Sequence, residues 1–448
     1  MTGDAAQAGP PATAPGTDVA RRRKAPVSPA ALLVIGVLAL VLRLGYVLST
    51  DAVIEFPDEQ QYLNMAQNFV AGNGLSISAD PQGRAVQPMQ TMQRPPVYPL
   101  MLAVILRLDL YLRTVRVVQA VLGALMCVML YLLARELVAE RAARIAGVIA
   151  AVYPFFIYFT GRILSETLFL LLFVTSWYFI VRMWKDLSAR ERVTEWLGWC
   201  LIGGFLSAGA VLTRSSVLAV YLAVPVVMVV MGPRRRAGLL VGLLMLVVLG
   251  AGLSAWAARN WKHVEAQRDE GAIVLTTCKV GESLYEAVGP RATGGPNKEN
   301  TIWPEELDAM RQDEYGRNQH LLGRSLSYMR HNPKRPIRLA GKKFLRTWNV
   351  VPNYAGARSM LYVAVSLASY VPVLLTGLAG IFLCMRRPRS VVWLMLPIVV
   401  FTLLHVVFVG SVRYRLVMMP FLIVFSAVTV WRLFGGRFKP VAGTVEEE

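Results

Sequence analysis

The sequence has 448 residues, of which 55% are apolar and 17% charged, with a mean hydropathy of +0.48. Soluble domains carry about a quarter charged residues, so the composition argues against an ordinary water-soluble domain and for a membrane solvent. The net charge of +19 excludes little by itself, but Lys and Arg gather at the ends of apolar blocks, where headgroups and membrane orientation account for them better than nucleic acid does.

Residues 1–28 are rich in Ala, Pro, Gly and Thr, contain the basic run Arg21–Lys24, and read as a disordered cytoplasmic tail. Ten apolar blocks of spanning length then follow: 29–49, 115–134, 144–160, 164–183, 195–212, 215–232, 237–257, 360–384, 390–410 and 416–434. With a cytoplasmic N-terminus every short inside loop is basic, through Arg135, Arg141 and Arg144, Arg182, Lys185, Arg190 and Arg192, Arg234–Arg236, Arg386, Arg387 and Arg389, and Arg432 with Arg437. The expected fold is therefore an all-α polytopic bundle of about ten transmembrane helices with both termini cytoplasmic. Two long segments, 50–114 and 258–359, fall on the extracytoplasmic side.

The expected organisation is an N-terminal transmembrane catalytic module (29–257, with the first outer loop 50–114), a loop with amphipathic helices (258–359), C-terminal spans (360–434) and a tail (435–448). The apolar run after Pro95-Pro96-Val97-Tyr98-Pro99 is too short to span and is predicted to lie at the outer interface. Residues 315–348 are basic with roughly helical apolar spacing, broken at His331-Asn332-Pro333. They fit either anionic lipid or packing against the spans. The cysteines Cys127, Cys200, Cys278 and Cys384 offer no disulfide framework and no metal-spaced pair.

Charged residues on the outer side are the candidates for chemistry. Pro57 suits a helix start, and Asp58 and Glu59 then sit in the first turn, where they either cap the helix or act as acids. Glu166, between two spans, is functional or paired with Arg162 one turn away. Arg94, Arg214, Arg413 and Arg415 share that side, and a planar guanidinium fork suits a lipid phosphate. Arg43 lies inside the first span, where an acid such as Glu55 or Asp58 would offset its burial. Asp58, Glu59 and Glu166 leave room for a divalent cation, with Asp58 and Glu166 as its ligands, but no cofactor is demanded. His405 reads as a packed, hydrogen-bonded span residue.

At these residues the sequence resembles the GT-C superfamily of membrane glycosyltransferases, particularly glycosyltransferase family 39 with its protein O-mannosyltransferases and lipid A aminoarabinose transferases. The resemblance runs through Arg43-Leu44-Gly45-Tyr46, Pro57-Asp58-Glu59 with Tyr62, Arg94-Pro95-Pro96-Val97-Tyr98, Ser165-Glu166-Thr167-Leu168-Phe169, Leu212-Thr213-Arg214 and Arg413-Tyr414-Arg415. It implies a polyprenyl-phosphate sugar donor, inversion at the anomeric carbon, Asp58 as catalytic base and Glu166 as the second loop acid. Arg43, Tyr62, Arg94, Tyr98, Arg162, Arg214, Arg413, Tyr414 and Arg415 are then the residues expected to bind substrate. Membrane lipids and the lipid donor are the expected partners, with no nucleic acid, and the plasma (inner) membrane is the expected location. The acceptor stays open among glycan, lipid and protein. A transporter or flippase is the alternative, but one-sided charge and the lack of an internal repeat favour an enzyme.

Overall fold

The computed structural model describes residues 26–435 except 52, 80–84, 109–111, 190–192, 233, 297–313, 352–359 and 386–387. Most of both expected tails, and the basic residues Arg21–Lys24, Arg190, Arg192, Arg386, Arg387 and Arg437, lie outside the described residues.

The chain opens with α1 (Pro29–Ser49) and α2 (Pro57–Val70), then a two-stranded antiparallel hairpin of β1 (Ser76–Ala79) and β2 (Ala85–Gln90) that the sequence reading did not anticipate. Gly72 and Gly74, at φ of 85° and 68°, make the turn between α2 and the hairpin, a left-handed backbone that costs glycine no Cβ clash. The Asn68 amide, on α2, donates to the Ser76 carbonyl at 3.0 Å and pins the hairpin down.

Next come α3 (Val97–Arg107), α4 (Leu112–Leu137), α5 (Glu140–Val152), α6 (Pro154–Thr160), α7 (Glu166–Ser188) and α8 (Val193–Val211). A 3-10 turn (Ser215–Val217) leads into α9 (Leu218–Leu222), α10 (Val224–Met231) and the long α11 (Arg235–Arg268). The second loop holds α12 (Val280–Val288), α13 (Glu314–His331) and α14 (Lys334–Trp348). The chain then forms α15 (Met360–Cys384), α16 (Pro388–Val407), the short α17 (Val412–Arg415) and α18 (Met419–Leu433).

Each expected span is thus found as a helix or as broken helices. Among the described residues five are long and apolar enough to cross a membrane singly, and α5 with α6 make a sixth as a pair bent by 49°. The chain is a multi-pass, helical membrane protein. Helix α3, at 11 residues, is short, as the sequence predicts.

The bend at Pro154 explains Arg43. Proline has no N–H, so the Ala150 carbonyl lacks its intrahelical partner. Arg43, fully buried on α1, donates to the carbonyls of Ala150 at 3.3 Å and Ala151 at 3.0 Å, to Ala39 at 3.0 Å and to the Cys127 sulfur at 3.2 Å. The expected acid partner is replaced by carbonyls that a broken helix leaves free, and Arg43 caps them inside the bundle.

Helix α18 runs through the interior, buried along nearly its whole length between α5, α15 and α16. Its contact with α15 depends on small residues: a Cβ on Gly380 would sit 2.0 Å from the Phe425 carbonyl oxygen, and one on Gly377 2.6 Å from Leu422 Cδ1. Close backbone approach through glycine is a common way to hold helices in lipid. Gly380→Ala is therefore expected to cost about 1–3 kcal/mol by forcing the pair apart. Gly250→Ala, where a Cβ meets nothing within 4 Å, serves as the neutral control in thermal unfolding. Equal midpoints for the two variants would refute the close contact.

Candidate active site

The site is assembled at the ends of helices. Pro57 starts α2, so Asp58 stands in its first turn, while Glu59 accepts hydrogen bonds from the Glu55 and Phe56 amides at 2.8 and 2.9 Å. The other Glu59 oxygen accepts from the Ile163 amide at 2.7 Å, tying α2 to the turn before α7. Glu59 is fully buried with both its oxygens engaged by backbone amides, so it clamps two segments.

The segment before α3 is fixed from the second loop. Glu314 on α13 accepts from the Thr91 hydroxyl and the Met92 amide, both at 2.7 Å, and the Cys278 amide donates to the Met92 carbonyl at 3.0 Å. Arg259 on α11 adds a bond to the Thr91 carbonyl at 2.9 Å. These contacts bring Arg94 and Lys279, distant in sequence, to one cavity. Gln61 accepts twice from the Arg94 guanidinium, at 2.7 and 3.1 Å, and aims it at Asp58, with which it forms an ion pair.

Arg413 is the centre of the charge network. Its Nη1 lies 2.9 Å from Asp58 Oδ2 and its Nε 2.5 Å from Glu166 Oε1. Arg214, in the turn after α8, reaches the same Glu166 oxygen at 3.1 Å. Glu166 is buried at the start of α7, and the expected pair with Arg162 does not form. Arg162 instead bridges to Glu55 at 2.5 Å and lies over the Tyr158 ring. Burial alone would raise the Asp58 carboxyl, but Arg94 and Arg413 outweigh it and hold the group far below the usual carboxylate range.

A cavity of about 510 Å³ adjoins this network. Asp58, Tyr62, Arg94, Arg214, Lys279, Arg413 and Tyr414 line its charged part, with hydroxyls from Ser165, Thr213, Ser215 and Thr277. Leu218, Ala219 and Leu222 of α9, with Leu404 of α16 and Phe408 and Val409 beyond it, supply an apolar part. The sequence reading missed Lys279, whose only signal is its place just before the Gly281–Tyr285 turn, and Gln61. His405 is buried as expected, donates from Nδ1 to the Val409 carbonyl at 3.2 Å, and stacks on Tyr414 with centroids 4.4 Å apart. It also lines the cavity, which was not foreseen.

Besides Arg43, three expected substrate contacts lie outside the cavity lining. Tyr98 is fully buried, donates to Gln119 at 2.8 Å and packs edge-on against Tyr62. Arg162 is among the structural pairs above. Arg415 donates to the Asn349 carbonyl at 2.5 Å and caps the Tyr370 ring, away from the cavity. Asp58 and Glu166, the expected ligands of a divalent cation, share Arg413 instead, and no cluster of three His, Cys, Asp or Glu side chains forms among the described residues. This cationic donor set does not fit a metal.

Arg94, Arg214, Lys279 and Arg413 line the cavity beside Asp58, with buried Glu166 pairing Arg214 and Arg413, so cations outnumber carboxylates on the wall. Such a surplus beside an apolar wall suits an amphiphilic phosphate. The positive charge of Arg94 foremost, then burial, pushes Lys279 down to about 8, against the pull of Asp58 and Glu286; Arg317 acts with Arg94. If Lys279 helps hold an anion, binding is strongest below that pH and weakens above it, by up to about tenfold per unit until the bound-state pKa is passed. Polyprenyl-phosphate affinity measured from pH 7 to 9.5 is expected to show this fall, and Lys279→Met to flatten it. A flat wild-type profile would remove Lys279 from the site.

The structure is that of a polytopic helical membrane protein with a cavity at one end of its helices. Residues 93–257 match the family described as dolichyl-phosphate-mannose-protein mannosyltransferase. The fold is similar to the apo oligosaccharyltransferase of Archaeoglobus fulgidus, with TM-score 0.59 and 15% identity over 91% of this chain and 50% of that one. The oligosaccharyltransferase AglB of the same organism, solved with an inhibitory peptide and a dolichol-phosphate, gives TM-score 0.55 and 14% identity over 91% and 50%. ArnT from Cupriavidus metallidurans bound to undecaprenyl phosphate gives 0.41 and 18% over 90% and 79%. The chain thus spans about half the length of the oligosaccharyltransferase. A comparison with curated protein sequences finds no match.

Proposed function

We propose that this protein is an inverting glycosyltransferase that moves a sugar from a polyprenyl-phosphate donor to an acceptor on the extracytoplasmic side of the plasma membrane. The observation that carries the reading is the Asp58–Arg413–Glu166 network, flanked by Arg94, Arg214 and Lys279, beside an apolar wall. A polyprenyl-phosphate sugar is a phosphodiester of about one negative charge, and the departing polyprenyl phosphate approaches two. A predominantly cationic wall therefore complements the leaving group better than the donor, the direction that lowers a barrier.

In the reaction the acceptor hydroxyl (or amine) attacks the anomeric carbon, forming the new glycosidic bond. The carbon–oxygen bond to phosphate breaks, its electron pair leaves with the polyprenyl phosphate, and the acceptor proton passes to Asp58. Asp58 in the free protein is held too acidic to be a strong base by Arg94 and Arg413. A donor phosphate competing for those guanidinium groups loosens them from Asp58 and raises its basicity when it is needed. Glu166 keeps Arg413 and Arg214 aligned. The transfer side is assigned from the basic short loops on the other face.

The test uses the purified full chain in nanodiscs with a panel of polyprenyl-phosphate sugars and, separately, nucleotide sugars, following released polyprenyl phosphate by mass spectrometry. Release from at least one polyprenyl donor and from no nucleotide sugar is expected. Donor movement across a bilayer without release would overturn the reading in favour of a flippase, and absence of both binding and release would overturn it outright.

A further inference from the structure

Helix α14 contains six basic residues and no acidic one, and it presents three different faces. Leu339, Lys343 and Thr347 are buried against α16 and α17. Ile337 (75% exposed), Phe344 and Leu345 (69% exposed) are apolar and uncovered. Lys334, Arg338 and Lys342 are also exposed. At about 100° per residue, Ile337 and Phe344 fall within about 20° of each other, and the three basic residues fill an arc of about 80° beside them, with Leu345 between Lys334 and Arg338. The packed stripe occupies the opposite side.

The level of this helix is set by what it holds. Lys343 Nζ donates to the Val407 carbonyl at 2.6 Å, the last residue of α16. A Cβ on Gly410 would lie 2.4 Å from the Lys343 carbonyl, so the two segments touch backbone to backbone. Helix α14 is thereby bolted to the end of an apolar helix of the bundle, the depth at which acyl chains give way to headgroups.

We propose that α14 is an interfacial helix that binds anionic phospholipid headgroups, inserting Ile337, Phe344 and Leu345 among the acyl chains while Lys334, Arg338 and Lys342 engage lipid phosphates. An apolar arc beside a basic one with no acidic residue is the pattern that such a surface selects, and charge complementarity names the lipid as anionic. This site is separate from the cavity, and the inference does not depend on the transferase reading.

The full chain in nanodiscs with and without phosphatidylglycerol provides the test. A nitroxide on Ile337→Cys is expected to collide with oxygen and to be shielded from a water-soluble nickel chelate, whereas one on Lys342→Cys stays accessible to the chelate. Native mass spectrometry should also show retained phosphatidylglycerol, and the triple variant Lys334→Gln, Arg338→Gln, Lys342→Gln should weaken its preference over phosphatidylcholine at least about tenfold. Equal chelate access at 337 and 342 would overturn the insertion. Unchanged lipid preference in a triple variant that unfolds at the wild-type temperature would overturn the headgroup assignment.

Discussion

Arg413→Ala is expected to weaken polyprenyl-phosphate binding by about 10- to 150-fold, the range for losing one charge-assisted hydrogen bond of roughly 1.5–3 kcal/mol, and to abolish measurable transfer. Arg413 is the one residue described here that touches both Asp58 in the cavity wall, at 2.9 Å, and buried Glu166, at 2.5 Å. Removing it takes away one positive charge and leaves buried Glu166 with Arg214 as its guanidinium partner. Breaking such a buried pair costs about 3–5 kcal/mol, so lost stability is expected alongside lost binding. Arg413→Lys should rescue little, because a point charge cannot span two carboxylates as a planar fork does.

The companion variant Arg415→Ala separates the two effects. Arg415 holds the Asn349 carbonyl and the Tyr370 ring outside the cavity, so its loss should lower the unfolding temperature while the remaining folded protein binds donor normally. Direct binding of a short-chain polyprenyl phosphate to both variants decides the matter. Wild-type affinity in Arg413→Ala would sink the phosphate assignment.

Asp58→Asn is expected to lower kcat by about 10²–10⁴-fold, the usual contribution of a positioned general base. Donor affinity should hold or rise. The asparagine keeps the shape and an acceptor oxygen toward Arg94 and Arg413, yet no longer offers a negative charge that competes with phosphate for them. A kcat loss without a loss of donor binding distinguishes a base from a structural anchor. Equal turnover in the two proteins would take Asp58 out of the proton transfer and leave it as a scaffold for the arginines. Glu59→Gln provides the contrast. Its carboxylate engages three backbone amides, so the variant should suffer chiefly in stability.

Much of this protein could be read from its amino acids alone. Apolar blocks of spanning length define helices because a backbone in lipid must satisfy its hydrogen bonds within each segment, and that rule is local. The membrane class, the positions of all ten apolar helical segments and the short α3 followed from it. The gathering of Asp58, Arg94, Glu166, Arg214 and Arg413 was also legible, since helix ends of one polarity must lie at one end of a bundle.

Tertiary structure decided which of those charges meet. Arg43, Arg162 and Arg415 are each as cationic as Arg413 in sequence. A proline break supplies Arg43 with carbonyls, Glu55 takes Arg162, and a ring and a carbonyl take Arg415. Lys279 reaches the cavity because a hydrogen bond from Cys278 to Met92 joins two loops almost two hundred positions apart, a pairing no periodicity encodes. Hydrophobic burial is written into composition along the chain, whereas the partner of a charge depends on angles and distances between segments. Only the packed bundle sets those.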